Sequence, residues 1–114
     1  MSIKTVKNPI SKKELWDIAK NQFGDLVKAV VDIDKEIMAI GGELHADDEA
    51  LLLQEGSRQK DLWGINLYLG KSGDELVGFD SMINIRPSQG NRSRGVESLE
   101  IQRKIRNIVN KLIL

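Results

Sequence analysis

Two strand-like segments joined by a charged turn constrain the fold of this chain more than any other feature. In LVKAVVDIDKEIMAIGGELH, residues 26–45, apolar residues recur at every second position of the first run, DKE forms a turn, and Ile37 to Leu44 return. A period of two is typical of a strand with one buried face, so the segment predicts a β-hairpin. The pair Gly41-Gly42 inside the second run indicates a bulge or a close backbone approach.

A second hairpin is predicted between residues 61 and 86. DLWGINLYLG has the composition of a strand, GKSGDE that of a turn, and ELVGFDSMINIR returns. A kink is expected near Asp80 and Ser81, where the alternation of apolar and polar residues falters. One more short strand is expected from Ile3 to Val6.

Three segments have the spacing and the end signals of helices. Ser11 and Glu14 form a capping box before the first helix. Asp47 is the expected N-cap of the second helix, and Gly56 ends it. Ser98 caps the closing helix, whose apolar residues recur every three or four positions.

The resulting order of elements is β-α-β-β-α-β-β-α, which predicts an α+β fold. Because two hairpins supply most of the strands, one largely antiparallel sheet is expected, with three helices packed on one face. Residues 1–114 are expected to form a single α+β domain, since the chain has the length of one domain and no linker or repeat.

Composition excludes several functional classes. With 40% apolar and 30% charged residues, the chain is typical of a globular protein. Cysteine is absent, so thiolate chemistry and disulfides are excluded. Neither a signal peptide nor a membrane-spanning run is recognisable, which predicts a cytoplasmic protein that does not enter a membrane. A formal net charge of zero argues against nucleic acid as a partner. No cofactor and no bound metal are predicted.

Three motifs together resemble a known family. GGELHAD, LWGINLY and RPSQGNRS, taken in this order, are similar to a family of short uncharacterised prokaryotic proteins, a domain of unknown function. The similarity extends over essentially the whole chain. It implies a natural domain and no activity, substrate or catalytic residue.

The motif GGELHAD contains candidate catalytic residues. In an extended segment Glu43 and His45 share a face, and Asp47 follows closely. A carboxylate beside an imidazole is the arrangement of an oriented general base, and the same three side chains could ligate a divalent metal. A purely structural role, with Asp47 only capping the helix, is the simpler interpretation and remains open.

Asparagines in predicted strands suggest a polar patch. Amides are poor strand residues and costly to bury without partners. Asn66 has the same strand parity as Tyr68, and Asn84 the same as Arg86. If the strands pair and Glu43 and His45 point the same way, six side chains form one patch. The alternative is the solvated face of a one-sided sheet. The six residues are Glu43, His45, Asn66, Tyr68, Asn84 and Arg86.

The loop NIRPSQGNRSRG, residues 84–95, is a candidate anion-binding segment. Its arginines provide planar donor groups, its glycines permit close backbone approach, and it leads to a helix N-terminus. The alternative is that its arginines pair with the protein's own acids, for example Asp32, Asp34 or Asp48. The predicted ligand-binding residues here are Arg86, Ser88, Asn91, Arg92, Ser93 and Arg94, together with Asn66 and Asn84.

Three functional hypotheses therefore arise from the sequence. The first is a small binding domain that takes an anionic ligand at the loop. The second is an enzyme with a Glu43–His45–Arg86 centre that acts on a phosphate or carboxylate substrate. The third is a homodimeric interaction protein without small-molecule chemistry.

Overall fold

A computed structural model describes residues 3–114, and within them five strands and three helices form in the order that the sequence predicts. The α+β class and the antiparallel sheet are confirmed, with strand order β1-β3-β2-β4-β5. The elements are β1 (Lys4–Val6), α1 (Lys12–Lys20), β2 (Leu26–Asp32), β3 (Ile37–Ile40), α2 (His45–Gln54), β4 (Leu62–Tyr68), β5 (Val77–Gly78) and α3 (Leu99–Leu112).

The β2–β3 hairpin is held by its turn as well as by its strands. Asp32 Oδ1 accepts from the backbone N–H groups of Asp34 and Lys35, each at 2.9 Å. Its second oxygen, Oδ2, accepts from Ser57 Oγ at 2.6 Å. A side chain that satisfies two turn N–H groups favours the reversal over an extended chain, so the predicted turn at DKE is confirmed.

β4 lies beside β2 and continues the sheet. The two strands pair along their whole length, from Leu26 opposite Tyr68 to Asp32 opposite Leu62. Lys28 therefore lies directly opposite Asn66. Because side chains alternate between the faces of a sheet, these two polar residues and Tyr68 share one face.

α1 and α3 cover the other face and form the main core with it. Ser11 and Ser98 cap the two helices, as predicted, by accepting from Glu14 N–H and Ile101 N–H respectively. The buried side chains of this layer come from both helices and from alternate strand positions; they include Leu15, Ala19, Val27, Ala29, Val31, Met38, Ile40, Ile65, Leu67, Ile105, Val109 and Leu112.

α2 differs from the prediction, because it packs on the opposite face of the sheet. There Leu52 joins Val30, Ala39 and Leu62 in a second, smaller apolar cluster. β2 and β3 are apolar at successive positions, as in AVV and IMAI, so both faces of these strands need cover. The expectation of one solvated sheet face is replaced by a sheet with helices on both sides.

α2 also begins earlier than the prediction. Gly41 has φ of +100°, which ends β3, and the helix starts at His45 with Leu44 as N-cap. Asp47 therefore lies in the first turn rather than at the cap. The predicted close backbone approach at the glycine pair is present, because the N–H of Gly42 donates to Asp48 Oδ1 at 2.9 Å.

β5 is much shorter than the predicted return strand. Only Val77 and Gly78 pair with β4, and two short 3-10 turns follow, at Met82–Asn84 and Pro87–Gln89. The physical reason is side-chain competition: the amide of Asn84 occupies the edge of β4 where a longer β5 would pair. None of the helices in residues 3–114 has the length and apolar character for crossing a bilayer.

Candidate functional site

An open cleft of about 430 Å³ lies on the face of the sheet that carries α2. It is bounded by the start of α2, by β2 and β4, and by the segment 80–83 that follows β5. Its volume lies within the range of small-molecule sites. The polar side chains that line it are Lys28, His45, Asn66, Tyr68, Asp80, Ser81 and Arg94; the apolar ones are Leu26, Leu44, Ala46, Met82 and Ile83.

His45 is anchored at the start of α2 by one ring nitrogen. Its Nε2 lies 2.8 Å from the carbonyl oxygen of Ile65. A carbonyl can only accept, so Nε2 carries the hydrogen and Nδ1 has the lone pair when the ring is neutral. Burial, assisted by the charge of Lys28, lowers the pKa of His45, against the opposing effects of the Ile65 carbonyl and Asn66. The imidazole is therefore mainly neutral at neutral pH.

Asn66 projects into the same face with only its amide nitrogen in a well-formed hydrogen bond. Its Nδ2 donates to the carbonyl oxygen of Asp80 at 3.1 Å. Its Oδ1 is buried and accepts no hydrogen bond of ordinary length and angle in the described chain. The interaction of Asn66 with the neighbouring His45 ring opposes the lowering of the pKa of His45. Asn66 as a whole is only 6% exposed. A buried amide oxygen that lacks a well-formed hydrogen bond is costly in a structural residue, which sets Asn66 apart from Asn84 and Asn91.

Lys28 and Arg94 bring positive charge to the cleft. The ammonium of Lys28 lies 4.8 Å from the ring centroid of Phe23. The Nε of Arg94 donates to Asp80 Oδ1 at 2.7 Å, and both side chains of this pair are more than half exposed. Exposed ion pairs of this kind are weakly held, so Arg94 can exchange Asp80 for another carboxylate at little cost.

The N-terminus of α2 opens into the cleft without a side-chain cap. Leu44 occupies the N-cap position, where its side chain cannot accept a hydrogen bond; its carbonyl oxygen accepts from Asp47 N–H at 3.0 Å. Leu44, His45 and Ala46 all line the cleft. Uncapped N–H groups and the helix dipole favour an anion at this end, in agreement with the charge of Lys28 and Arg94.

Asn84 does not line the cleft but closes the edge of β4. It is fully buried, and its Oδ1 accepts from Gly64 N–H at 2.8 Å. Its Nδ2 donates to the carbonyl oxygens of Gly64 and Arg94, at 2.9 and 3.0 Å. Backbone groups thus provide the hydrogen-bond partners that the sequence predicted this amide to need. None of its hydrogen-bonding atoms is left for a ligand.

Arg86 is also committed to the interior. Its guanidinium donates to the carbonyl oxygens of Ile83, Gln59 and Leu62. It lies 4.7 Å from the ring centroid of Trp63 and 3.9 Å from Glu49 Oε2. These contacts tie the segment after β5 to the start of β4, so the predicted patch is divided: His45, Asn66 and Tyr68 share the cleft, whereas Asn84 and Arg86 are built into the wall behind it.

The loop 84–95 is organised by its own polar groups. The amide of Asn91 donates to the carbonyl oxygens of Asn84, Ser93 and Gly95 and accepts from Glu97 N–H. The N–H groups of Arg92 and Ser93 both donate to Glu97 Oε2, at 2.7 and 2.9 Å. The concavity that the sequence suggested for an anion is occupied by the chain's own carboxylate.

The arginines of the loop do pair with the protein's own acids, but with different ones from those expected. Arg94 pairs with Asp80, and Arg92 interacts with Glu97. Asp32 serves the hairpin turn and Asp48 binds the N–H of Gly42. Ser88 lies exposed in the Pro87–Gln89 turn, so only Arg94 of the loop's predicted ligand-binding residues reaches the cleft.

Comparison with protein families gives one match that spans nearly the whole chain. Residues 4–112 match the family described as "Protein of unknown function (DUF5674)". The chain belongs to this family. The comparisons with curated proteins and with solved structures found no match. The predicted resemblance to a family of unknown function is confirmed, and the description of the family names no activity.

In this member of the family, the three candidate catalytic residues, Glu43, His45 and Arg86, do not lie in one cleft. His45 lines the cleft, whereas Glu43 and Arg86 do not. The strand parity that linked Glu43 to His45 does not apply, because His45 is helical. In residues 3–114, no group of three or more histidine, aspartate or glutamate side chains is placed to hold a metal ion. Catalysis by these residues stays a prediction without a common centre.

Sequence reasoning missed Lys28 and Asp80 as residues of the site. A signal for Lys28 was available, because a charged residue in an otherwise apolar strand marks a position with a polar neighbour. The register that pairs it with Asn66 could not be read from the sequence. Asp80 enters the cleft because β5 ends at Gly78 and the chain then turns back over β4.

Removing the Glu97 carboxylate is expected to convert the loop into an anion site. In Glu97→Ala, the N–H groups of Arg92 and Ser93 lose their acceptor, and phosphate added at millimolar concentration should shift both amide signals in ¹⁵N NMR spectra. The parent protein should show no such shifts, because the two N–H bonds lower the pKa of Glu97 and keep it ionised at neutral pH. Equal responses in both proteins would show that Glu97 does not close the loop.

Proposed function

We propose that this protein is a binding domain that holds a small anionic ligand in the cleft beside α2. One observation carries the proposal: Lys28, Arg94 and a helix N-terminus without a side-chain cap line one open concavity. Anions bind at helix N-termini through backbone donors and the helix dipole. The sequence placed the anion at the loop 84–95, and the occupancy of that loop by Glu97 moves the proposed site to the cleft.

The positive charge in the cleft supports an anion rather than a neutral ligand. Arg94 is paired with the exposed Asp80, while Lys28 contacts an aromatic ring rather than a carboxylate. Ligand pockets combine apolar walls with a few polar groups that fix orientation. Leu44 and Met82, exposed by 59% and 64%, form such walls at the mouth.

Loss of the Lys28 charge is expected to weaken anion binding. Inorganic phosphate, acetate and hexanoate, each tested separately, should include at least one anion that raises the melting temperature of the parent protein. Lys28→Gln should lower the affinity for that anion by about fivefold or more, because one charge contact is worth about 1 kcal/mol. Isothermal titration at low salt measures the change, and added salt should reduce the affinity of the parent.

Lys71→Gln is the matched control for this experiment. Lys71 also lies over an aromatic ring, that of Tyr68 at 5.4 Å, but it does not line the cleft. The control should bind the anion as the parent does. The proposal fails if none of the three anions binds, or if the two lysine variants lose the same affinity.

The homodimer hypothesis is tested by measuring the molecular mass of the protein in solution. A binding domain that acts through its cleft keeps the same ligand affinity at every protein concentration. Sedimentation across a hundredfold concentration range, with and without the anion, tests whether association accompanies binding.

A further inference from the structure

We propose that the ligand of the cleft is a small amphipathic monocarboxylate, with its carboxylate toward Lys28 and Arg94 and its apolar part against Leu44 and Met82. This inference rests on the proposed function and specifies the class of its ligand. It is carried by two independent features of the cleft, its balance of charge and the exposure of its apolar walls.

The charges that line the cleft leave one net positive charge. Lys28 and Arg94 are cations, Asp80 is an anion, and His45, whose pKa is lowered mainly by burial, is neutral. Asp48 lies within electrostatic range of Lys28 but does not line the cleft, and burial raises its pKa to about 7, which favours its protonated form below neutral pH. One negative charge balances this set. Inorganic phosphate at pH 6.5 is mainly a monoanion and meets the charge requirement, but it has no apolar part to cover the walls of the cleft.

The apolar side chains of the cleft favour a ligand with an apolar part over a bare inorganic ion. Leu26 and Ile83, both half-buried, line the cleft together with the exposed Leu44 and Met82. Large apolar side chains exposed together around a concavity indicate a surface that is covered in use. A ligand with a short hydrocarbon portion covers them, and each methylene group so buried should add roughly fourfold to affinity.

The polar end of the cleft supplies specific positions for a carboxylate. The backbone N–H groups at the start of α2 have no side-chain acceptor, and the guanidinium of Arg94 has a planar fork of donors. Because Asp80 already receives Arg94 Nε at 2.7 Å, the geometry of an arginine–carboxylate pair exists at this rim before the ligand arrives. An incoming carboxylate can share or replace Asp80 there.

Ligands that differ in chain length or in charge test directly whether the cleft binds an amphipathic monocarboxylate. At pH 6.5 and low salt, hexanoate should bind at least tenfold more tightly than acetate, and more tightly than hexanamide or inorganic phosphate. Met82→Gln should reduce the advantage of hexanoate over acetate without changing acetate itself. Met82 is 64% exposed, so this variant tests the apolar wall without disturbing the core.

A charge series on the same scaffold tests the electrostatic part. Asp80→Asn adds one net positive charge and should tighten hexanoate by about three- to tenfold, whereas Arg94→Ala should weaken it by a similar factor. Arg92→Ala is the matched control, because Arg92 lies two residues away and does not line the cleft. It should bind hexanoate as the parent does.

The outcomes separate this inference from the proposed function. If phosphate binds in the cleft more tightly than hexanoate, the monocarboxylate class is wrong and the anion-binding function stands. If hexanamide equals hexanoate, the charge argument is wrong. If no member of the series shifts the amide signals of Asn66, Ser81 or Ile83, both proposals fail.

Discussion

Asn84→Ala is expected to lower the free energy of unfolding by about 3 to 5 kcal/mol. The substitution removes three side-chain hydrogen bonds from a residue with no solvent exposure. It leaves the N–H and C=O of Gly64 without partners, whereas the C=O of Arg94 keeps its hydrogen bond from Ser81 N–H. Each buried group that loses its partner costs about 1 to 3 kcal/mol. The loss is a large fraction of the stability of an ordinary domain. Urea unfolding followed by circular dichroism measures it.

Two further variants make the Asn84 result specific. Asn110→Ala on the exposed surface of α3 should change stability by no more than about 0.5 kcal/mol. Asn84→Asp retains the acceptor for Gly64 N–H but loses both donors, and its carboxylate would face two carbonyl oxygens. That variant should be less stable at pH 7 than at pH 4, since protonation restores one donor. Stabilities of Asn84→Ala and Asn110→Ala that agree within error would contradict this account of the β4 edge.

Asp48→Asn is expected to remove a pH dependence from the stability of the protein. Asp48 is fully buried; its Oδ1 accepts from Gly42 N–H, whereas Oδ2 is buried and has no hydrogen-bond partner in the described chain. Burial, with a smaller contribution from Asp47, raises the pKa of Asp48 from 3.8 to about 7. Ionising this carboxyl in the folded protein is therefore unfavourable.

The sign of the effect follows from the proton balance. Between about pH 4 and pH 7 the folded state holds the Asp48 proton while the unfolded state releases it. The stability that this proton provides is fully present below pH 4 and is lost as the pH rises to 7. In Asp48→Asn this decrease of the free energy of unfolding with pH should disappear. At pH 8 the variant should be more stable than the parent by about 2 to 4 kcal/mol.

Unfolding in urea at pH 4.5, 6 and 8 measures the two pH profiles. Asp47→Asn is the matched control, because Asp47 is the exposed neighbour on the same helix. It should retain most of the slope of the parent. A slope that survives in Asp48→Asn would assign the pH dependence to other groups.

The elements with strong local signals could be predicted from the sequence. Ser11 and Ser98 mark the starts of α1 and α3 because a side chain caps its own helix within four residues. The β2–β3 hairpin is equally local, since Asp32 binds the turn that follows it. In each case the interacting residues are close in the chain, so the local sequence is sufficient to predict the element.

The features that sequence reasoning missed depend on distant contacts. The length of β5 is decided by Asn84, which takes the edge of β4 by binding Gly64, 20 residues away. α2 packs on the second apolar surface of β2 and β3. The prediction treated these strands as apolar on one face only, so it did not place a helix there.

The candidate site could be predicted only in part for the same reason. His45, Asn66, Tyr68 and Arg94 were singled out by residue type, and the structure brings these four to one cleft. Asn84 and Arg86 were chosen by the same reasoning but their hydrogen bonds are used by the fold. Residue type identifies polar groups that need partners; only the three-dimensional arrangement shows which partners are already present.

The central claim is that anion binding occurs at the cleft and not at the loop 84–95. Amide chemical-shift mapping of the ¹⁵N-labelled parent protein during titration with hexanoate tests it most directly. The account predicts saturable shifts at Ala46, Asn66, Ser81 and Ile83, with the signals of Arg92, Ser93 and Glu97 unchanged. Shifts concentrated at Arg92, Ser93 and Glu97, with a silent cleft, would contradict it.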